Sequence, residues 1–356
     1  MTETISILDE LYRYHHWANW KVLELCDGLT DPQLDQPREL GFGTLRNTIF
    51  HILAAEEVWL ERWNQFPPRP FPLDAGGMSI QELGRRLDTV NERRAEWMES
   101  IGESGLRSSC TYHDSRGIAY TNQIHELLIH VSNHGIHHRS QALGYLKSFG
   151  RTVRGGLDHL FFRFANPAIS QTTEAVEAMK QFGLECGTGA SPSIRWDRSL
   201  IERYFAYGDW ATDRLFSLTG SLDETALNRN FRMGMGSIRK TLLHLFDAEY
   251  FWTKNWTTGQ RDFSHLPPST TAEDLTLRWK EMRRERDQFL ASQNELSVSK
   301  TLLASFGGPP FQVPTTESMI QVCGHGTHHR AQLANMLRHS GQTVPAIDYV
   351  VWVREE

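Results

Sequence analysis

Cysteine pairs, long apolar runs and blocks of basic charge are all missing from this 356-residue sequence. Its four cysteines, Cys26, Cys110, Cys186 and Cys323, form no Cys-x-x-Cys pair and are too sparse for a disulfide scaffold. No stretch approaches the roughly 18 consecutive apolar residues of a membrane span, so no membrane partner is expected. The opening MTETISILDELYRYHH is polar and acidic, without the apolar stretch of a secretory leader. A cytoplasmic address is the expectation that follows. The formal charge of −6 is spread along the chain, and with no basic block to track a phosphate backbone, nucleic acid is not an expected partner. A hydrophobic content of 39% against 22% charged residues describes a folded chain rather than a disordered one.

What the sequence does contain is a duplication. SILDELYRYHHWANWKVLEL from Ser6 matches SLIERYFAYGDWATDRLFSL from Ser199, which pairs Tyr14 with Tyr207 and Trp17 with Trp210. GTLRNTIFHILAAEEVWLERW from Gly43 matches GSIRKTLLHLFDAEYFWTKNW from Gly236. This pairs Arg46 with Arg239, His51 with His244, Glu56 with Glu249, Trp59 with Trp252 and Trp63 with Trp256. VSNHGIHHRSQALGYLK and VCGHGTHHRAQLANMLR continue the match with a small deletion. Long units of this kind describe a two-domain duplication and not a solenoid. The expected organisation is a first domain over 1–165, a linker over 166–194 rich in turn formers, and a second domain over 195–356.

Apolar spacing near 3.6 residues and capping signals predict four helices per unit. In the first they run about Ser6–Cys26, Thr44–Asn64, Ser79–Ile101 and Asn122–Phe149. In the second they run about Arg198–Leu218, Ser237–Thr258, Thr271–Gln293 and Thr316–Ser340. Thr44 and Ser237 have the setting of N-caps, Ser79 with Glu82 reads as a capping box, and Gly150 and Gly341 read as C-cap glycines. SSCTYHDSRGIAYT and TLLASFGGPPFQVP alternate around turns, so a small β-hairpin is expected before each fourth helix. The expected fold class is all-α, as two tandem four-helix bundles.

The sixteen histidines are unevenly placed. His134 and His138 are four apart, which sets them on one helix face, one turn apart. The pair recurs as His325 and His329. A third recurring histidine, His51 or His244, lies in an otherwise apolar stretch of the second helix. A buried neutral imidazole costs free energy unless both ring nitrogens find partners, and a metal satisfies one of them. Three such residues repeated in a second unit point to a metal site in each: His51, His134 and His138, then His244, His325 and His329. With no repeated fourth protein ligand, one coordination position stays open, as at catalytic metals. His137 and His328 read as supporting or packing residues, and His130 as a polar lining residue. His15, His16, His113, His125, His159, His265 and His339 read as surface or capping residues. Glu56 and Glu249 sit off the ligand face, with a helix-surface role at least as good a reading. Tyr14, Tyr207, Arg46 and Arg239 are candidate pocket residues, and Arg139 and Arg330 are candidate anion anchors or surface salt-bridge partners. The repeated tryptophans read either as core or as pocket wall.

YHHWAN at Tyr14, His51 and NHGIHHRSQ at Asn133, with YGDWAT at Tyr207, His244 and GHGTHHRAQ at Gly324, resemble the DinB-like superfamily of metal-binding helical bundles, as two copies over nearly the whole chain. The resemblance implies a four-helix bundle with a three-histidine site for zinc or nickel, iron being a further candidate. It also implies relatives that transfer or isomerise with low-molecular-weight thiols, hence a small-molecule thiol and an electrophilic substrate as partners. The tandem copies suggest a pseudo-dimer within one chain. At the level of sequence three functions stay open: a metal-dependent thiol S-transferase, a non-catalytic metal-binding module for storage, sensing or partner binding, and a metal-dependent hydrolase.

Overall fold

Two mainly helical bundles are built from the helices that the repeat predicts. The structure, a computed structural model, describes residues 3–189 and 191–356. The first set is α1 (Ile7–Leu25), α2 (Leu45–Trp63), α3 (Ile80–Leu106), the hairpin β1 (Ser109–His113) and β2 (Ala119–Gln123), α4 (Ile124–Ser148) and a short α5 (His159–Ala165). The second is α6 (Arg198–Ser217), α7 (Ile238–Thr258), α8 (Ala272–Ser292), the hairpin β3 (Thr301–Ala304) and β4 (Phe311–Pro314), α9 (Thr315–His339) and α10 (Tyr349–Glu355).

Side chains close the helix ends that need donors or acceptors. Thr44 accepts from the Asn47 amide at 3.0 Å and Ser237 from the Lys240 amide at 3.2 Å. Ser79 accepts from the Glu82 amide, but the reciprocal half of the expected box is not made, because the Glu82 carboxylate pairs with Arg85 instead. Gly150 and Gly341 take the left-handed conformation after α4 and α9, as a residue without Cβ does most easily. α3 runs past its expected end, with Gly102 at φ 59 interrupting the helical backbone just after Ile101. Both expected hairpins form, with Tyr112 opposite Tyr120 in one and Ala304 opposite Phe311 in the other.

The packing units cut across the repeat ranges. One compact unit is Leu11–Val153 together with Ala346–Glu356, and the other is Arg154–Pro345 together with residues 3–10. In the first, α2 packs along α4, α3 packs on α2, and α10 lies on α4. In the second, α7 packs on α9 and α8, α6 packs on α9, and α5 lies on α9. Each bundle therefore receives its short closing helix from the segment that sequence attaches to the other repeat. A buried ion cluster holds α5 in place: Glu10 accepts from His159 at 2.8 Å, and Arg163 joins Glu10 to Glu317. His159, expected at the surface, is only 2% exposed for this reason. Among the described residues, no helix is long and apolar enough to cross a membrane.

Candidate metal centres

α2 and α4 meet where their histidines lie. Facing α2, α4 offers His134 and His138 from successive turns, and α2 offers His51 from the opposite side. The Nε2 atoms of His51 and His134 are 3.0 Å apart, and those of His134 and His138 are 3.1 Å apart. In the other unit α7 and α9 do the same, with His244 Nε2 3.0 Å from His325 Nε2 and the His325 and His329 rings 4.4 Å apart. Each triad has its three ligand atoms within 4.8 Å of one another, so each can hold a metal ion.

The outer nitrogens decide what the inner ones offer. His138 Nδ1 lies 2.7 Å from Gln141 Oε1, and the Gln141 amide nitrogen lies 3.2 Å from His137 Nε2. Gln332 repeats this with His329 at 2.8 Å and His328 at 2.8 Å. In the second unit His325 Nδ1 lies 3.0 Å from Asp158 Oδ2, which also accepts from the Gln321 amide at 3.1 Å. An amide oxygen or a carboxylate accepts only, so in each case Nδ1 carries the proton and Nε2 presents its lone pair inward. His51 Nδ1 is buried without a hydrogen-bond partner, so at about 3 Å neighbouring Nε2 atoms can share one proton or, with that proton displaced, a divalent cation. Metal–nitrogen bonds of about 2.0–2.1 Å are compatible with that spacing. The donor set thus fits a divalent metal.

Burial keeps these rings uncharged. It lowers His51 and His244 to about 4, and nearby imidazoles such as His137 and His325 add to the effect. Burial and neighbouring imidazoles also hold His134, His138 and His329 well below their ordinary value. At neutral pH the rings of His51, His134, His138, His244 and His329 are therefore uncharged. Burial alone would push the Asp158 carboxyl up, but the adjoining His325 holds it below the usual range. Phe42 stacks on His51 at 3.6 Å, fixing the ring plane.

A model of the DinB family matches residues 1–172 and 197–355. The chain belongs to the DinB family. No curated protein and no solved structure matches it. The two DinB copies carry equivalent triads, but their surroundings differ. Beside the first triad a cleft of about 1110 Å³ opens, lined by His51, Trp59, His130, His134 and Asp348 among others. Trp59 is thus both buried and a wall of that cleft, and His130 is a lining residue as expected.

Several other expected pocket residues lie elsewhere in the DinB bundles. Arg46 is buried against Asp31, Asp35 and the Met78 carbonyl, where it ties a loop to α2. Arg239 pairs with Glu224. Arg139 lies in the core, bonded to His15 at 3.0 Å and Asn19 at 2.9 Å, and stacked over Tyr14. Arg330 reaches Thr212 and Thr327 and stacks over Tyr207. Glu56 is not on the helix surface: it accepts from His15 at 2.8 Å and Arg94 at 3.0 Å inside the bundle. His15, expected at the surface, is 1% exposed because Glu56 and Arg139 satisfy both of its ring nitrogens. Glu249 is buried as well.

Asp158 and Asp348 went unrecognised in the sequence. They open the short helices α5 and α10 as N-cap residues with similar backbone angles, φ −63 and −66. The recurrence of LDHLFF as IDYVVW was the available signal.

Proposed function

We propose that each DinB copy binds one divalent metal through its histidine triad, with zinc or nickel the best suited and iron a further candidate. Three neutral imidazoles accept all three metals, and availability selects among them. The first centre, His51, His134 and His138, is the working one: a metal-dependent S-transferase that joins a small thiol to an electrophile. The observation that carries this reading is the convergence of inward-facing Nε2 atoms beside a cleft large enough for a small-molecule ligand. A bound metal would supply Lewis acidity, lowering the pKa of a thiol or water held at its open position.

The chain's own groups do the rest. Gln141 holds His138 in the tautomer and plane that aim Nε2 inward. Phe42 and Trp59 exclude water from one side of the site. Asp348 adds a carboxylate to the cleft, where its charge is felt by His51 and His130. For the second centre, a non-catalytic metal role is favoured by the ring cluster of Phe251, Phe263 and Phe306 packed beside Trp252.

The test is metal analysis of untagged protein, followed by a thiol screen. Two equivalents of metal per chain are expected, falling to one in either His51→Ala or His244→Ala and to none in the double variant. Small thiols should raise the melting temperature of the metal-loaded wild type but not of His51→Ala. No shift with any common thiol, and no thiol consumption with model electrophiles, would remove the transferase reading while leaving the metal sites intact.

A further inference from the structure

The two DinB copies serve as internal controls for each other, and they differ at the mouth of the site. In the first unit two guanidinium groups flank one tyrosine ring. Arg62 lies over Trp59 at 4.6 Å and over Tyr112 at 5.7 Å. Arg354 lies over Tyr112 at 5.2 Å and over Tyr120 at 3.8 Å, and its Nε donates to the Tyr112 hydroxyl at 3.1 Å. Both arginines line the cleft. Of the other carboxylates lining the cleft, Glu61 pairs with Arg69 and Asp114 with Arg116, while the charge of Asp348 acts on His51 and His130. Among the described residues, no carboxylate forms an ion pair with Arg62 or Arg354.

Two like charges held beside one aromatic ring repel each other, and stacking positions them without neutralising them. In the other packing unit the same positions are apolar or neutral. Trp63 matches Trp256, so Arg62 is replaced by Asn255. Counting from the shared N-cap aspartates, Arg354 is replaced by Phe164. In the hairpins, Tyr112 and Tyr120 are replaced by Ala304 and Phe311. Phe164 packs edge-on against Phe311 at 5.0 Å, and Phe311 packs on Phe306 at 5.3 Å. A scaffold that needed cations here for stability would carry them in both copies. It carries them in the first unit, where both line the cleft.

We infer that the cleft of the first unit binds a small molecule bearing an oxyanion, held by Arg62 and Arg354, with its other end directed towards the His51, His134 and His138 triad. The direction of the ligand rests on the metal reading above; the oxyanion end rests on the arginines alone. Trp59 spans the two ends, with Arg62 on its face and the His130 ring at 5.2 Å, and His130 adjoins His134 at 5.6 Å. Carboxylate and phosphate both match a guanidinium fork, so the shared chemistry is a planar or tetrahedral oxyanion.

The full-length metal-loaded protein should be titrated calorimetrically with succinate, with inorganic phosphate, and with neutral succinamide. One equivalent of succinate or phosphate per chain is expected, with no binding of succinamide. The Arg62→Gln/Arg354→Gln double variant should bind about tenfold or more weakly. Arg62→Lys/Arg354→Lys should keep more of the affinity, which separates lost charge from misfolding. His244→Ala should leave anion binding unchanged. Tighter succinate binding names a carboxylate ligand, and tighter phosphate binding a phosphorylated one; either supports the inference. Binding of neither anion, two equivalents per chain, or unchanged affinity in the glutamine double variant would overturn it. Metal content measured on the same samples separates the two readings. Arginine-dependent anion binding by wild-type protein that takes up no metal would sink the metal proposal alone, and a metal-replete protein that ignores both anions would sink this inference alone.

Discussion

Gln141 and Gln332 each set the tautomer of a triad histidine by accepting from its Nδ1–H. Replacing Gln141 with Leu removes the acceptor and frees the ring to turn. Metal affinity at the first centre should fall about 10–100-fold, as loss of such outer hydrogen bonds does elsewhere. Competition with a chromophoric chelator measures it, and the second equivalent should be unaffected. The buried Glu56 cluster offers a contrasting case. Arg94 and Glu56 are both nearly inaccessible, and Arg94→Ala leaves a carboxylate with part of its charge uncompensated. Such a loss costs about 3–5 kcal/mol, to be read by urea unfolding, with metal stoichiometry unchanged while the protein is folded.

Protons act on the same residues. His51 and His244 have folded-state values lowered to about 4, below the usual 6.5. Between those limits the unfolded chain binds protons that the folded chain does not. Stability therefore falls as pH drops from about 6.5 towards 4. Glu56 is lowered too, its burial outweighed by His15 and Arg94, so its stabilising contribution is present above the ordinary glutamate value and is lost as pH falls below it. Metal-free protein should show a melting temperature that declines steadily on acidification across this window. Bound metal should be retained from pH 8 to about pH 5, because the folded ligands take up few protons there. A melting temperature independent of pH between 7 and 4.5 would contradict this.

Among the elements, α2 matters most, because it brings a histidine to a partner helix remote in sequence. Thr44 caps its first turn, and the loop immediately before it supplies Phe42 to the His51 ring. Thr44→Ala should cost about 1 kcal/mol by thermal or urea denaturation. Helix periodicity made α2, α4 and their counterparts legible in the sequence, since apolar faces and caps are local properties. The i, i+4 pairs His134 with His138 and His325 with His329 were legible for the same reason: one helix guarantees their common face. His15 and Glu56 were misjudged because their partners lie on other helices. A polar residue looks exposed in sequence until the acceptor that lets it be buried is in view.

For the molecule as a whole, the exchange of closing segments has a functional consequence. α10 belongs to the second repeat in sequence but completes the first centre's unit, carrying Asp348 and Arg354 into its cleft. α5 correspondingly brings Asp158 to His325 from 167 residues away. Truncation after Pro345 should therefore destabilise the Leu11–Val153 bundle and weaken metal binding at His51, His134 and His138. The equivalent held by His244, His325 and His329 should remain. Metal counts on the truncated chain crossed with His51→Ala and His244→Ala check this; loss from the second centre instead would refute it.

Sequence alone determined that this protein is a duplicated, mainly helical chain with the same histidines recurring in each copy, because periodicity, caps and repeats are written in neighbouring residues. Only the tertiary structure decided which histidines meet, which carboxylate serves which centre, and that one cleft carries two arginines while its copy is packed with phenylalanine. Those are contacts between residues far apart along the chain, and their distances are set by helix packing rather than by spacing.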